Sequence, residues 1–302
     1  MRSVGRAALL LLSIIGIAAA TVPSRGARPE LIGMIHDPAI SEVSGAAVSR
    51  HNPMHLFAVN DSQHGPTIHV ISRDGSALGQ VHINNAENRD WEDLASFTQH
   101  GRPHLLIADT GDNGGLRASL TLYVVDEPKL PLPTSIDVAW RVQFRLPEGP
   151  RDIEAVAVDA ASASIYLIAK RHFPRVLYRL PLRPADSDSV QLAERVGTFN
   201  TLPPASDVEK NREPKFGRFR GDITSLALDP EGQYALVLSY RDLYFYSRAP
   251  GESLLRSLAR RPLRMRLPPM PQAEAIALDA ANYHAIVISE RLLSPIYRAV
   301  LP

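Results

Sequence analysis

A short segment that recurs five times constrains this chain more than any other feature. The copies are Glu42-Val43-Ser44-Gly45-Ala46-Ala47-Val48, Asp90-Trp91-Glu92-Asp93-Leu94-Ala95, Asp152-Ile153-Glu154-Ala155-Val156-Ala157-Val158, Asp222-Ile223-Thr224-Ser225-Leu226-Ala227-Leu228 and Gln272-Ala273-Glu274-Ala275-Ile276-Ala277-Leu278. Each opens on a polar residue, passes through a small or acidic one, and continues with apolar residues around a shared Ala. Small residues suit strands whose backbones crowd an axis. A second run follows each copy, at 56–60, 105–109, 166–170, 235–239 and 285–289, apolar on both faces as a strand buried between layers requires. A third run, at 67–71, 122–125, 176–178, 243–246 and 295–297, is rich in β-branched and aromatic residues. Weaker fourth strands are expected at 77–83, 138–145 and 190–199.

Four antiparallel strands repeated at irregular spacings of about 50–70 residues describe an all-β fold, a β-propeller. Five four-stranded blades are visible. The fifth stops after three strands, and its missing outer strand is expected at 30–35, ahead of the first repeat, so that the N-terminal strand closes the ring and hides the sheet edges. Six blades are the alternative, should 200–221 or 249–271 hold a degenerate one. The first of these segments reads as an inserted loop. The second carries Arg256, Arg260, Arg261, Arg264 and Arg266 and reads as a solvated outer strand or short helix, with an anion or partner patch as the sharper possibility.

With 302 residues, 45% of them hydrophobic, the chain can bury one large core, and residues 21–302 are expected to form a single domain. The formal charge of +1 lacks the basic excess of a nucleic-acid binder. The absence of cysteine excludes disulfides, thiolate metal sites, a Cys nucleophile and a lipidated Cys. Residues 1–20 have the form of a secretory signal: Arg2 and Arg6, an apolar run over 7–17, then Ala18-Ala19-Ala20. No second long apolar run follows. The expected product is periplasmic or secreted, monomeric, and without a membrane span after signal cleavage.

In an antiparallel pair the start of the first strand lies beside the end of the second. The strand starts carry Ser44, Glu92, Glu154, Thr224 and Glu274. The ends carry Asn60, Asp109, Lys170, Ser239 and Ser289, followed by Asp61, Thr110, Arg171, Tyr240 and Glu290. All are expected on one face, around the mouth of the central channel. Glu92 and Glu154 are candidate bases there, and Lys170 a candidate stabiliser of negative charge. Asn60, Asp61, Arg171, Glu274, Glu290 and Arg291 are candidate ligand contacts. Asp93, Asp109, Asp112 and Asn113 form the densest group of oxygen ligands and suit calcium, although the loop lacks the closing Glu of an EF-hand. Two structural readings compete: strand-start hydroxyls and carboxylates that bond a neighbouring blade, and Asx side chains that cap their own turn. Lys170-Arg171 and Glu290-Arg291 are peculiar to their repeats, as a site grafted onto a repeat would be. Trp91 is expected to pack between blades. No zinc spacing, nucleophile elbow, phosphate loop or dinucleotide fingerprint is present.

The chain resembles bacterial exported β-propellers, including SdiA-regulated proteins and phytase-like esterase propellers. The residues that carry the resemblance are Ser44-Gly45, Asn60-Asp61-Ser62, Asp90-Trp91-Glu92-Asp93, Ala108-Asp109-Thr110-Gly111-Asp112-Asn113, Asp152-Ile153-Glu154-Ala155 and Gln272-Ala273-Glu274-Ala275 with Ser289-Glu290. The phytase-like relatives imply calcium and phosphoester or ester hydrolysis. Three functions are therefore expected in order: an axial site binding a small polar or anionic ligand or partner around calcium; a metal-dependent phosphoester, ester or lactone hydrolase; and an interaction scaffold using the rim or residues 256–266.

Overall fold

The computed structural model describes residues 28–186 and 188–302, so the signal sequence read over 1–20 lies outside the described residues. The first antiparallel unit comprises Val43–Val48, His55–Asn60, Thr67–Ser72 and Ala77–Asn84, and the second Trp91–Gln99, Arg102–Asp109, Leu120–Asp126 and Ser135–Arg145. The third comprises Ile153–Asp159, Ser164–Ala169, Arg175–Pro181 and Glu194–Phe199. The fourth comprises Ile223–Leu228, Tyr234–Ser239, Asp242–Ser247 and Leu263–Arg266. In the last unit Ala273–Asp279, His284–Ser289 and Ser294–Val300 are completed by Glu30–Ile35, which pairs antiparallel with Ser294–Val300. The N-terminal strand thus closes the final sheet.

Hydrophobicity falls from the axis outward. The first two strands of every unit are mostly buried, whereas Ala77–Asn84 is exposed over its first four residues and Ser135–Arg145 is mostly half-covered or exposed. The core consists of apolar layers between neighbouring units. One joins Leu106, Leu122 and Val142 of the second unit to Val156, Leu167 and Tyr178 of the third. Others lie between third and fourth, last and first, first and second, and fourth and last. These interfaces run round a ring, which is the propeller arrangement. Trp91 is fully buried in the layer between the first two units, its Nε1 donating to Glu87 O at 2.8 Å. Outer edges are stitched laterally: Ala77–Asn84 and Ser135–Arg145 run parallel through His82↔Ser135 and Ile83↔Ile136. This pairing hides backbone groups that would otherwise be free to recruit another chain.

Neither irregular segment holds a four-stranded unit. Residues 200–221 carry the helix Asp207–Arg212, capped by Ser206 and Glu209, and a 3-10 turn at Gly217–Phe219. Residues 249–271 carry the helix Leu254–Leu258 and the outer strand Leu263–Arg266. The basic run there is largely paired: Arg260 with Glu252, and Arg264 with the buried Asp242. No helix among the described residues is long and apolar enough to cross a membrane.

Every inner strand has the same defect. The ladder slips between Val43 and Gly45, Trp91 and Asp93, Ile153 and Ala155, Ile223 and Ser225, and Ala273 and Ala275. The residue left out of register is Ser44, Glu92, Glu154, Thr224 or Glu274. A bulge re-aims one side chain without ending the strand, and here it does so five times around one mouth. At two positions the result is structural: Ser44 Oγ donates to Trp91 O at 2.6 Å and Thr224 Oγ1 to Ala273 O at 2.8 Å, each bonding the next unit. Ser44→Ala should lower the unfolding free energy by about 1–2 kcal/mol, the usual effect of deleting a buried hydrogen bond. A thermal melt reads this as a midpoint lower by about 2–6 °C.

Candidate functional site

The three glutamates at the bulges behave differently from Ser44 and Thr224. Glu92, Glu154 and Glu274 are buried, and among the described residues none bonds the backbone of the next unit: Glu154 takes Lys170 and Glu274 takes Tyr240. They meet a second ring of residues, those that follow the second strands. Backbone bonds set its register: Asp61 N donates to Glu42 O, Thr110 N to Asp90 O, Lys170 N to Asp152 O and Glu290 N to Gln272 O. Lys170 therefore corresponds to Asp61, Thr110, Tyr240 and Glu290. The apolar runs of the sequence place it instead with Asn60 and Asp109. The second strand of the third unit ends at Ala169, which pairs with Ile153, and that shift of one residue turns Lys170 toward the mouth.

Five carboxyl groups converge. Asp61, Asp90 and Glu92 each offer an oxygen with all three within 4.8 Å of one another, and so do Glu92, Asp152 and Glu154. Glu92 belongs to both groups. Gly111 makes room for this: a Cβ there would lie 2.3 Å from the carboxyl oxygens of both Asp90 and Glu92. The counter-cation is Lys170, buried and ion-paired with Glu154, its ammonium 5.5 Å from the centre of the Tyr240 ring. Glu274 accepts from Tyr240 Oη at 2.8 Å and from Gln272 Nε2 at 3.0 Å. Two buried oxygens, Glu154 Oε2 and Asp152 Oδ2, have no donor among the described residues.

The electrostatics follow from this crowding. Burial, then repulsion from Glu154, drives Glu92 well above the ordinary carboxylate range. Burial, then a hydrogen bond shared with Asp61, raises Asp90 to about 7. Burial, then Glu274 and Asp61, raises Glu290 to about 8. Burial works to lower Lys170, but Glu154, Glu92 and Glu274 outweigh it and hold the ammonium protonated. A cluster like this must keep protons or take a cation. Its donors are all oxygens, which suits hard ions such as calcium, magnesium or manganese.

The other predicted residues go elsewhere. Asp93 lies inside the channel, where its carboxylate accepts from Leu94 N, Val156 N, Leu226 N and Ser225 Oγ at 2.8–3.3 Å. Asp109 pairs with Arg117 at 3.0 Å and also accepts from Asp90 N. Asp112 caps its own turn through Leu116 N and Arg117 N, and Asn113 accepts from Arg171 Nη2 at 2.7 Å. This loop is held by its own donors, the arrangement expected of Asx turns. Asn60 bridges Ala39 O and Glu42 N. Arg171 stands 3.7 Å from Asp152 and 3.4 Å from Asp222, half-exposed at the rim, and Arg291 donates to Gln272 Oε1 at 3.0 Å.

The site residues not singled out from sequence are Asp90, Asp152, Tyr240 and Gln272. A signal for three of them existed. The repeat position two before the bulge reads Glu42, Asp90, Asp152, Asp222, Gln272, polar in every copy.

Beside the acidic floor lies a cavity of about 390 Å³ whose walls include Arg171, Arg220, Arg291, Phe216, Phe219 and Tyr240. Phe216, Phe219 and Arg220 come from the 200–221 insert. Arg175, fully buried, fastens that insert by donating to Gly221 O at 2.6 Å, Leu202 O at 3.2 Å and Lys170 O at 2.9 Å. Arg241 pairs with Glu209 from the other side.

No family model matches the chain, and no curated protein matches it. Among solved structures, the WD40 repeats of RRP9 align with 85% of this chain and 67% of theirs, at 12% identity and a TM-score of 0.41. A gluconolactonase from Xanthomonas campestris aligns with 86% of this chain and 72% of its own, at 11% identity and the same TM-score of 0.41.

Proposed function

We infer that this chain is an exported, five-bladed propeller whose axial mouth binds a divalent cation and, next to it, a small anionic ligand. One observation supports this above the rest: Asp61, Asp90 and Glu92, and again Glu92, Asp152 and Glu154, come within metal-ligating distance of one another, with one ammonium paired to Glu154 and two buried oxygens left without donors. Calcium is the first ion to test, because the donors are hard oxygens and their number suits its six to eight ligands. Export to the periplasm or the medium is inferred from residues 1–20 alone. Equilibrium dialysis should find about one calcium per wild-type chain and a loss of at least tenfold in affinity for Glu92→Gln and Glu154→Gln, since each removes a charged ligand. Wild-type protein that retains no calcium, magnesium or manganese at millimolar concentration would sink the reading.

A metal-dependent hydrolase is the second reading, favoured by Glu92. Its carboxyl group is buried, receives no hydrogen bond among the described residues, and lies beside the Lys170–Glu154 pair. A carboxylate in that position can take a proton from water, and the neighbouring ammonium can steady developing negative charge. A bound cation would supply Lewis acidity. Aryl phosphates, aryl esters and lactones should be tried with calcium and with chelator. Chelator-sensitive turnover that disappears in Glu92→Gln identifies a hydrolase, and silence across the panel leaves a binding protein.

A further inference from the structure

We propose that the cavity beside the acidic floor binds an organic acid with a flat apolar body, an aryl carboxylate, with its carboxylate on Arg291 and Arg220 and its ring against Phe219 and Phe216. This rests on the reading of the mouth as a ligand site, and it adds the class of ligand. The cavity's size, about 390 Å³, suits a small molecule. Its lining contains three arginines and no acid, directly next to a floor made of acids. An anion drawn to the mouth would be repelled by the floor and held by this wall.

The three arginines are not equivalent. Arg171 is shared among Asn113, Asp152 and Asp222, and Arg220 is paired with Glu213 at 2.7 Å. Arg291 has no carboxylate partner among the described residues, only the neutral Gln272. It is the arginine of the wall that makes no ion pair within 4 Å among the described residues, although Glu290 lies close enough to feel its charge. The apolar half is as distinctive. Phe216 is 47% exposed, although Arg175 and the Arg241–Glu209 pair anchor the segment that carries it. Cations adjoin both rings: the Arg218 and Arg171 guanidinium groups stand 4.5 and 5.9 Å from the centre of Phe219, and the Lys215 ammonium 4.9 Å from that of Phe216. A polyhydroxylated sugar acid would make little use of the apolar ring surface that these cations leave open, including that of the exposed Phe216. A neutral arene would leave Arg291 unpaired. An aryl carboxylate uses both halves, and carboxylate–arginine pairs are the strong, oriented contacts that fix such a ligand.

Calorimetric titration with 2-naphthoate, gluconate and 2-naphthol tests the inference. In chelator, wild-type protein should bind 2-naphthoate at least tenfold tighter than either control. Arg291→Gln and Phe219→Ala should each weaken it by about tenfold or more, with melting midpoints reported so that a fold defect in one variant leaves the other decisive. Glu92→Gln, which removes a floor acid, should not weaken it. Loss of calcium binding with 2-naphthoate binding intact would refute the cation site and keep the pocket. Failure of 2-naphthoate to saturate at millimolar concentration, gluconate binding as tightly, or wild-type affinity retained in both pocket variants would overturn the pocket whatever calcium does.

Discussion

Asp93→Ala should be the most damaging single substitution in the inner ring, lowering stability by about 3–5 kcal/mol, the range for breaking a buried charged network. At the corresponding position the other units have Gly45, Ala155, Ser225 and Ala275. Asp93 alone puts a carboxylate into the channel. There it accepts from Val156 N of the adjacent third unit and from Ser225 Oγ and Leu226 N of the fourth, which is not adjacent to its own. It thus ties strands across the axis. Burial pushes its pKa well above the usual range while the four donors pull it back, so what the site demands of residue 93 is two oxygens that accept four hydrogen bonds. Truncation leaves three backbone N–H groups in the channel, each unsatisfied group costing about 1–3 kcal/mol. Asp93→Asn should fare little better, because its amide turns donors toward donors. A midpoint drop of about 10 °C or more is expected in a thermal melt followed by circular dichroism. A drop under about 2 °C, equivalent to less than 1 kcal/mol, would refute the axial role.

The residues explain what could be read from sequence. Inner strands are legible because their requirement is local: Ala47, Ala95, Ala157, Ala227 and Ala277 recur three residues after the bulge, where backbones approach the axis. The closing strand 30–35 is legible because a three-stranded final unit needs a partner. The loop Asp109–Asn113 looked like the ligand site because its oxygens are dense in sequence, but density along the chain brings donors too. Leu116 N and Arg117 N satisfy Asp112 within one turn. Asp61, Asp90, Asp152 and Glu154 meet only through the ring. Only Asp90 and Asp152 share a repeat position, two residues before the bulge, and that recurrence is the one hint of their meeting in the sequence. Lys170 was misaligned by one residue, since Tyr166–Lys170 and Ser164–Ala169 are equally good apolar runs and only the ladder Ile153↔Ala169 separates them. Phe216, Phe219 and Arg220 had no periodicity to reveal them. What makes them a wall is the anchoring of their segment by Arg175 and Arg241 at a distance.

Between pH 7 and 8.5 the cation-free protein should lose stability, and calcium should restore it most at the alkaline end. Below that range the histidines whose pKa burial lowers, His69, His104, His172 and His284, contribute the opposite slope. The groups that face one another at the mouth are Asp61, Asp90, Glu92, Asp152, Glu154, Lys170, Tyr240, Glu274 and Glu290. Asp90 is raised to about 7 and Glu290 to about 8, and Glu92 is raised as well, with burial the largest cause in each. In the unfolded chain these acids lose their protons near pH 4. The folded state therefore binds more protons over the interval between. Its stability is fully present below pH 4 as far as these groups are concerned, and it falls as pH rises through 7 and 8. A divalent ion displaces those protons, so its affinity must rise over the same window. At a hundredfold excess over Kd, calcium adds about 2.7 kcal/mol, which for a chain of this size is a midpoint higher by about 5–10 °C at pH 8. The gain should be much smaller at pH 5.5, where protons already occupy the site. In Glu92→Gln, which lies in both carboxylate groups, the alkaline decline should be shallower and the calcium gain should largely vanish. Melting midpoints with calcium and with chelator at pH 5.5 and from pH 7 to 8.5 read all three effects. A midpoint that stays flat or rises in chelator above pH 7, or a calcium gain independent of pH, is incompatible with a carboxylate cluster that exchanges protons for a cation.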